Sequence, residues 1–380
     1  MITRWPGLRT GNPVARIAVA VAFLFLAACL PALPSERPTS TLEAGGKPAS
    51  EVPPPLSFTA GPEEPTASPA PVRARRITDG GCCPYPFWSA DSGHVLFIDG
   101  PPARETAGVY AVDLEGGDPV LVRPGAAALS EEGEFWLSRQ GRQTVIERAG
   151  DGEQWTRAVG GHSVLLSPGG RWIAWDDSLS DIRNLDRRLH EIWVSRLDGS
   201  EARPVVQTEG GGLVGWGSSE ADLLVAGRID PADDPGIWSV SLSGEQPVRL
   251  YRTERVRSAL RSPQGGWVAV LSAFGGGGEA SGLWLVPTEM DRAIYVTLFG
   301  GYRWRSERAL LVLAWETPEA APGLWQVDVP DGEPRLLLRE DQLSLPIANN
   351  DWAVSPDGRW LVFLSFEDRN LWLLELPDER

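Results

Sequence analysis

The sequence predicts an all-β protein, a β-propeller of about seven four-stranded blades, with six as the alternative count. Three observations carry this prediction: a repeat of roughly 40 residues, a serine-containing turn at a fixed place in the repeat, and an apolar residue followed by tryptophan in its third strand. The 380-residue chain contains 42 glycines and 33 prolines, which fits a fold with many turns.

The repeat is clearest over residues 84–123. Four short strands are expected there, at 87–89, 94–98, 109–114 and 119–122, with tight turns between the first and second and between the third and fourth. In the first turn, serine accepts a local backbone hydrogen bond, proline sets φ, and glycine supplies a positive φ before the second strand. We call this element the Ser-turn.

Seven Ser-turns follow one another at spacings of 37 to 50 residues. The second and sixth repeats, 129–159 and 302–338, are the weakest, and loss of one would leave six blades. The tryptophans that follow an apolar residue in the third strands of the repeats are expected to pack between blades, because buried aromatic area dominates such cores. The Ser-turns contain Ser89, Ser130, Ser167, Ser218, Ser262, Ser306 and Ser355.

The two ends of the repeat region predict how the ring closes. The last repeat has three strands and no fourth, whereas residues 74–80 precede the first repeat and look like a fourth strand. We therefore expect the N-terminal strand to complete the last blade, which leaves no free sheet edge.

These repeats resemble the TolB-type, WD-like propeller repeat of bacterial envelope proteins. Val354-Ser355-Pro356-Asp357-Gly358-Arg359-Trp360 and Asp113-Leu114-Glu115-Gly116-Gly117 are the nearest matches, and the resemblance covers roughly residues 73–380. They are also similar to the propeller of prolyl-oligopeptidase-like peptidases, but a Gly-x-Ser-x-Gly nucleophile motif is absent. The resemblance implies an architecture rather than an activity, and TolB proper has a folded domain where this chain has a proline-rich segment.

The N-terminal region predicts export and lipid anchoring. Residues 1–28 combine three arginines with a 12-residue apolar run, as in a signal peptide, and end in small residues before Cys29, which is the expected lipidation site. The alternatives are an uncleaved anchor helix and ordinary cleavage after an alanine, and both also place the rest of the chain outside the cytoplasm. Residues 29–72 are rich in proline and predict a disordered tether. The propeller at 73–380 is then extracytoplasmic, lipid-anchored to a bacterial membrane, and expected to be monomeric.

Composition argues against two classes of function. The net charge of −16 is unfavourable for a nucleic-acid partner. The three histidines lack a neighbouring nucleophile or ligand motif, so no catalytic residue, metal or cofactor is predicted. Cys82 and Cys83 are adjacent, and three states stay open for them: a strained vicinal disulfide, which we favour, a bond to another chain, or free thiols.

Alternating strand direction places the long loops on the face opposite the Ser-turns. We expect this face, around the central channel, to recognise a protein or peptide partner, because binding residues concentrate on loops over rigid scaffolds. The sequence thus predicts a non-enzymatic interaction or ligand-binding module; the alternative is a propeller enzyme acting on a sugar, lactone or peptide. The candidate residues in these loops are Arg104, Asp176, Asp177, Asp181, Arg183, Asp230, Asp233 and Asp234.

Overall fold

A computed structural model describes most of the predicted propeller. All described residues fall within one structural unit, Ala67–Arg380. Cys29, Cys82 and Cys83 lie outside the described residues, as do the proposed signal peptide and tether. The described ranges are 74–81, 85–101, 103–160, 162–179, 184–253, 255–272, 281–289, 292–315, 320–339 and 345–379.

The described residues form 27 strands and one short 3-10 helix, so the all-β prediction is confirmed. The strands are β1 (Ala74–Arg76), β2 (Phe87–Trp88), β3 (His94–Asp99), β4 (Gly108–Asp113), β5 (Val120–Pro124), β6 (Ala127–Leu129), β7 (Phe135–Gln140), β8 (Gln143–Arg148), β9 (Gln154–Arg157), β10 (Val164–Leu166), β11 (Trp172–Ser178), β12 (Leu189–Arg196), β13 (Arg203–Trp216), β14 (Asp222–Arg228), β15 (Gly236–Ser241), β16 (Val248–Arg252), β17 (Val256–Arg261), β18 (Trp267–Ser272), β19 (Gly282–Pro287), β20 (Ile294–Val296), β21 (Gly300–Ser306), β22 (Ala309–Ala314), β23 (Gly323–Asp328), β24 (Pro334–Arg339), β25 (Ile347–Val354), β26 (Trp360–Ser365) and β27 (Leu371–Glu375). The 3-10 helix is Leu185–Arg187, between β11 and β12.

The sheets correspond to seven blades within the described residues. Blades 1, 2, 5 and 6 are separate four-stranded sheets, β2–β5, β6–β9, β17–β20 and β21–β24. The second and sixth repeats, the weakest in the sequence, are therefore complete blades. Blades 3 and 4 form one seven-stranded sheet, β10–β16, because β13 serves both.

Strand β13 is the departure from the predicted pattern. Its first half pairs with β12 as the outer strand of blade 3, and its second half pairs with β14 as the inner strand of blade 4. The pairing with β14 shifts register between Glu209 and Gly212, where three consecutive glycines have positive φ. Glycine adopts such angles without a steric penalty, so the strand turns from one blade into the next without an intervening loop.

Blade 7 closes the ring as predicted. It consists of β25, β26 and β27, and β1 pairs antiparallel with β27, with Ala74 opposite Leu374 and Arg76 opposite Trp372. Thr78 extends this closure, because its hydroxyl oxygen accepts a hydrogen bond from the Leu371 backbone N–H at 2.8 Å.

The core lies between blades. One buried cluster combines Phe135 and Ile146 of blade 2 with Val164 and Ile173 of blade 3. Inner-strand tryptophans add hydrogen bonds around the ring: Trp216 Nε1 donates to Leu165 O at 3.1 Å, linking blade 4 to blade 3. Trp304 Nε1 donates to Leu260 O at 2.9 Å, linking blade 6 to blade 5 in the same way.

In five of the seven Ser-turns, those of blades 1, 2, 3, 5 and 7, the serine Oγ accepts the predicted hydrogen bond from a backbone N–H. In the turns of blades 5 and 7, Ser262 Oγ accepts from Trp267 N at 3.0 Å and Ser355 Oγ accepts from Trp360 N at 2.9 Å. Ser262 is fully buried, so its hydrogen bond to Trp267 N is shielded from water.

Among the described residues, no helix has the length and apolar character needed to cross a membrane.

Candidate functional site

The two ends of the propeller channel differ. We call the end that carries the Ser-turns the turn face and the opposite end the loop face. At the turn face, Arg261 of β17 donates a hydrogen bond to Glu131 in the Ser-turn of blade 2. Blades 2 and 5 are not neighbours, so this ion pair crosses the ring interior.

On the loop face, the segment 184–188 that precedes β12 reaches beyond its own blade. Its helical residue Asp186 accepts hydrogen bonds from Arg257 of blade 5 at 2.6 and 3.3 Å, and Arg255 Nε lies 3.5 Å from the same carboxylate. Arg188 O accepts from Gly210 N at 2.8 Å, which fixes the segment to the crossing between blades 3 and 4. The hydrogen bond from Arg257 lowers the pKa of Asp186, so the carboxylate is charged at neutral pH.

A cavity of about 330 Å³ lies beside this segment. It opens at the loop-face ends of β10, β11 and β12 and at the inner half of β13. The lining combines two imidazoles, two hydroxyls, one carboxylate and two aliphatic side chains. These residues are His162, Ser163, Leu165, Asp176, Ser178, His190 and Leu213.

Asp176 and His190 are joined by a hydrogen bond at the cavity, and a further hydrogen bond fixes Asp176. His190 Nδ1 lies 2.7 Å from Asp176 Oδ1, and Asp176 Oδ2 accepts the backbone N–H of Leu213 at 3.1 Å. The side chain of His190 is 14% exposed, and that of Asp176 is 28% exposed. Because the carboxylate accepts at Nδ1, the neutral ring carries its proton there and Nε2 becomes the acceptor. Among the described residues, Nε2 has no hydrogen-bond partner.

Gly212 makes this arrangement sterically feasible. A Cβ at this position would overlap Asp176 Oδ2. The residue also has φ of +126°, which disfavours any side chain. The glycine run therefore serves both the crossing between blades and the position of the carboxylate.

His162 lies on the other side of the cavity. Its Nε2 is 3.1 Å from Asp177 Oδ1, with side-chain exposures of 36% for His162 and 48% for Asp177. Asp176 and Asp177 are adjacent on β11, so they point to opposite faces of the blade and hold one histidine each. The third histidine, His94, pairs with Asp113 at 3.1 Å on the turn face and is not part of the cavity lining.

Blade 6 presents exposed aromatic rings on the loop face. Phe299 and Trp315 pack edge to face with ring centroids 5.2 Å apart, and Trp315 N donates to Phe299 O at 2.9 Å. The two side chains are 44% and 61% exposed. We call them the aromatic pair. Phe366 of blade 7 is a further exposed aromatic, at 64%.

The structure separates the candidate residues predicted from sequence. Of the candidates that the structure describes, Asp176 and Asp177 lie at the cavity, and Asp176 contributes to its lining. Asp234 and Asp233 pair with the outer strand of blade 4, at 2.7 Å to Arg252 and 3.8 Å to Arg249.

Two further predicted residues make local contacts. Asp230 caps its own turn through Ala232 N at 2.8 Å. Arg104 pairs with Asp99 at 3.2 Å and lies over the ring of Tyr110, so it stabilises its own loop in blade 1. Asp181 and Arg183 lie outside the described residues.

Sequence reasoning missed His162, His190 and the aromatic pair. Each histidine looked like an ordinary strand-end residue, because its aspartate partner is distant in sequence. A usable signal was the coincidence of Asp176-Asp177 at a strand end with a histidine at the start of the next strand, since antiparallel pairing brings these ends together. Within the described part of the chain, no group of three or more His, Cys, Asp or Glu side chains is arranged to hold a metal ion.

Comparison of the sequence with family models and with curated proteins finds no match. Solved structures are similar in fold. An oligogalacturonate lyase of Vibrio parahaemolyticus has a TM-score of 0.58 and 14% identity, over 82% of this chain and 95% of that one. An oligogalacturonate lyase in complex with manganese gives the same score and identity over 81% and 94%.

A putative TolB of Agrobacterium tumefaciens has a TM-score of 0.40 and 14% identity, over 69% of this chain and 95% of that one. This score is too low to carry an argument. At such identities the likeness to the two lyases shows the propeller fold alone. The chain is a β-propeller, in agreement with the fold that the repeats predict.

Proposed function

We propose that this protein is a lipid-anchored, extracytoplasmic binding module that recognises a partner or ligand with its loop face and without catalysis. The observation that carries the proposal is the blade 3 segment around Asp186, which is fixed by Arg257 and Arg255 of blade 5. A surface that is ordered before binding loses less entropy when a ligand arrives. The cavity and the aromatic pair both lie on this face.

The interaction is tested by photo-crosslinking with the full chain in cell envelopes. A photoreactive amino acid replaces Leu185 or Phe366, which are 46% and 64% exposed on the loop face. Matched positions on the turn face are the exposed Gln264 and Asp357. We expect adducts from the loop-face positions alone. Adducts from the turn face alone, or from neither, would refute the proposal.

Anchoring is a separate part of the proposal and is supported by the sequence before Cys29. Replacement of Cys29 by Ser is expected to abolish incorporation of labelled fatty acid and to release the protein from the membrane fraction. Labelling that persists in Cys29→Ser would show that the lipid, if any, is attached elsewhere.

A second candidate function is catalysis at the cavity, and the Asp176–His190 pair favours it. A histidine that donates Nδ1–H to a carboxylate presents Nε2 as a proton acceptor, as a general base requires. The test is a screen of sugar, lactone and peptide substrates with the full chain and with His190→Ala. Turnover that is lost in His190→Ala and retained in His94→Ala would favour the enzyme over the binding module.

A further inference from the structure

We propose that the cavity on blade 3 binds a sugar unit of an uncharged carbohydrate and that the aromatic pair on blade 6 stacks on another unit of a longer chain. This inference rests on the proposed function of the loop face and names the chemical class of its ligand. Three properties of the described residues support it: the chemistry of the lining, its charge, and the position of the aromatic rings.

The polar groups of the lining suit hydroxyl ligands. Ser163 and Ser178 carry hydroxyls, and a hydroxyl both donates and accepts hydrogen bonds. When the imidazole of His190 is neutral, its Nδ1–H is used by Asp176 and Nε2 offers an acceptor. Sugar hydroxyls also donate and accept, so they satisfy such a lining in several orientations. Leu165 and Leu213 supply an apolar wall for the C–H face of a pyranose ring.

The charges of the lining disfavour ions of either sign. Among the described residues that line the cavity there is no arginine or lysine, so none of them supplies a fixed cation for a phosphate or carboxylate. Asp176 would repel an anion, as would Asp177 beside the cavity. A cationic ligand gains little, because Asp176 already accepts hydrogen bonds from His190 and Leu213 and Asp177 is paired with His162. An uncharged polar ligand avoids both costs.

The volume of the cavity limits how many sugar rings it can hold. About 330 Å³ is near the lower end of the volumes of ligand sites in proteins, which is enough for one or two sugar rings. The two serines, the two histidines and Asp176 all lie at this one opening, so the polar contacts converge on a small ligand. A polymer would therefore place a single unit or an end in the cavity.

The aromatic pair supplies the second contact. Phe299 packs edge to face against Trp315 and holds its indole ring in place. Trp315 is nevertheless 61% exposed, so the indole ring is available for stacking. Such rings stack on the C–H faces of sugars and need no charged partner. Blades 3 and 6 lie on opposite sides of a seven-bladed ring, so a chain of several units is needed to touch both.

The test uses the full chain and defined probes. Glucose, galactose, mannose, N-acetylglucosamine and their β-linked oligosaccharides of two to six units are measured by saturation-transfer difference NMR and by titration. We expect binding of at least one neutral series, with affinity for the hexamer above that for the dimer. Galacturonate and glucose 6-phosphate are the charged controls and are expected to bind at least about tenfold more weakly.

Three variants locate the site. His190→Ala is expected to lower affinity for every length at least about tenfold. Leu165→Trp fills the cavity from a 38% exposed position and is expected to do the same without disturbing the core. Trp315→Ala is expected to weaken the hexamer and to leave the dimer unchanged. His94→Ala is the matched control, since His94 has the same type of aspartate partner outside the cavity.

The outcomes separate this inference from the proposed function. Binding of neutral sugars that His190→Ala and Leu165→Trp abolish would support it. Absence of sugar binding, a preference for the charged probes, or equal loss in His94→Ala would overturn it. If loop-face crosslinks form while no sugar binds, the carbohydrate inference fails and the binding module stands.

Discussion

The turn face and the loop face of this propeller are built from the same strands, yet they are held by different contacts. At the turn face, the same contact joins two pairs of neighbouring blades: Ser167 donates to Glu220 at 2.5 Å, and Ser262 donates to Glu307 at 2.8 Å. At the loop face the contacts are individual, such as those of Asp186 with Arg257 and of Asp176 with His190. The repeating contacts stabilise the ring, and the individual contacts shape the candidate site.

This difference explains where variation is tolerated. A contact that recurs from blade to blade restricts the sequence at each occurrence, whereas a contact made once restricts two residues. Loops on a rigid scaffold are the usual place for binding residues. The substitutions below test this division, beginning with the largest effect.

The largest effect is expected for Gly212→Ala, at the crossing that also positions Asp176. The added Cβ meets the carboxylate, and φ of +126° is unfavourable for alanine, so we expect a loss of about 3 kcal/mol or more in the free energy of unfolding. Chemical denaturation provides the measurement.

Gly244→Ala is the control for Gly212→Ala, because Gly244 has φ of +86° with nothing within 4 Å of a Cβ. It is expected to cost about 1 kcal/mol from the backbone alone. Equal losses in the two variants would mean that the contact with Asp176 does not restrict this position.

The next largest effect is expected at the turn face. Ser262→Ala removes the acceptor for Trp267 N and the donor to Glu307, both at a fully buried serine, so we expect a loss of about 1–2 kcal/mol. Ser163→Ala at the exposed edge of the cavity is expected to change stability by less than about 0.5 kcal/mol. The division between the faces is wrong if both serines have the same effect on denaturation.

A smaller effect, of opposite sign, is expected from Asp351 on the inner strand of blade 7. Burial raises the pKa of this carboxyl, although Arg303 and the Tyr85 backbone oppose the shift. A raised pKa in the folded state means that the charged form costs stability at pH values above it. Asp351→Asn is therefore expected to stabilise the protein at pH 7 by up to about 1 kcal/mol, and the gain should shrink as the pH falls through the raised pKa. A loss of stability at pH 7 would contradict this.

The smallest effect is expected for Asp186→Asn at the loop face. The Arg257 hydrogen bond lowers the pKa of Asp186, so the charged pair stabilises the fold above the ordinary value of 3.8, and this is lost as the pH falls through the lowered pKa. Both side chains are about 30% exposed, so the difference at pH 7 should be less than about 1 kcal/mol. Urea unfolding at pH 7 and pH 3 should show a smaller difference at pH 3, because the unfolded state is then largely protonated and the lowered pKa is approached. A difference that is unchanged at pH 3 would show that the charge of Asp186 is not its source.

The fold was predictable because its signals are local and repeated. Three Ser-turns, at Ser167, Ser262 and Ser355, place serine, proline and glycine within four residues. The missing fourth strand of the last repeat indicated the closure by β1. The shared strand β13 was not predictable, since the glycine run 210–212 resembles an ordinary turn until both neighbouring strands are known.

The candidate site was less predictable because its contacts join distant residues. Asp176 and Asp177 were chosen as residues of a long loop, whereas they lie at the end of β11. Their partners His190 and His162 lie 14 and 15 residues away in opposite directions. Asp233 and Asp234 had the same signature and instead pair with arginines on an outer strand. Charge and loop position alone do not distinguish these cases, because the direction of each side chain depends on strand register.

The pairing of β1 with β27 also has a consequence for the order in which the protein folds. Ala74 and Leu374 are 300 residues apart, so this contact has a far larger loop-closure cost than the hairpins within a blade. During synthesis β1 stays unpaired until β27 has been made. Completion of blade 7 is therefore expected to be the last and slowest step of folding. Deletion of residues 371–380 would therefore be expected to trap a chain with six formed blades and an open ring.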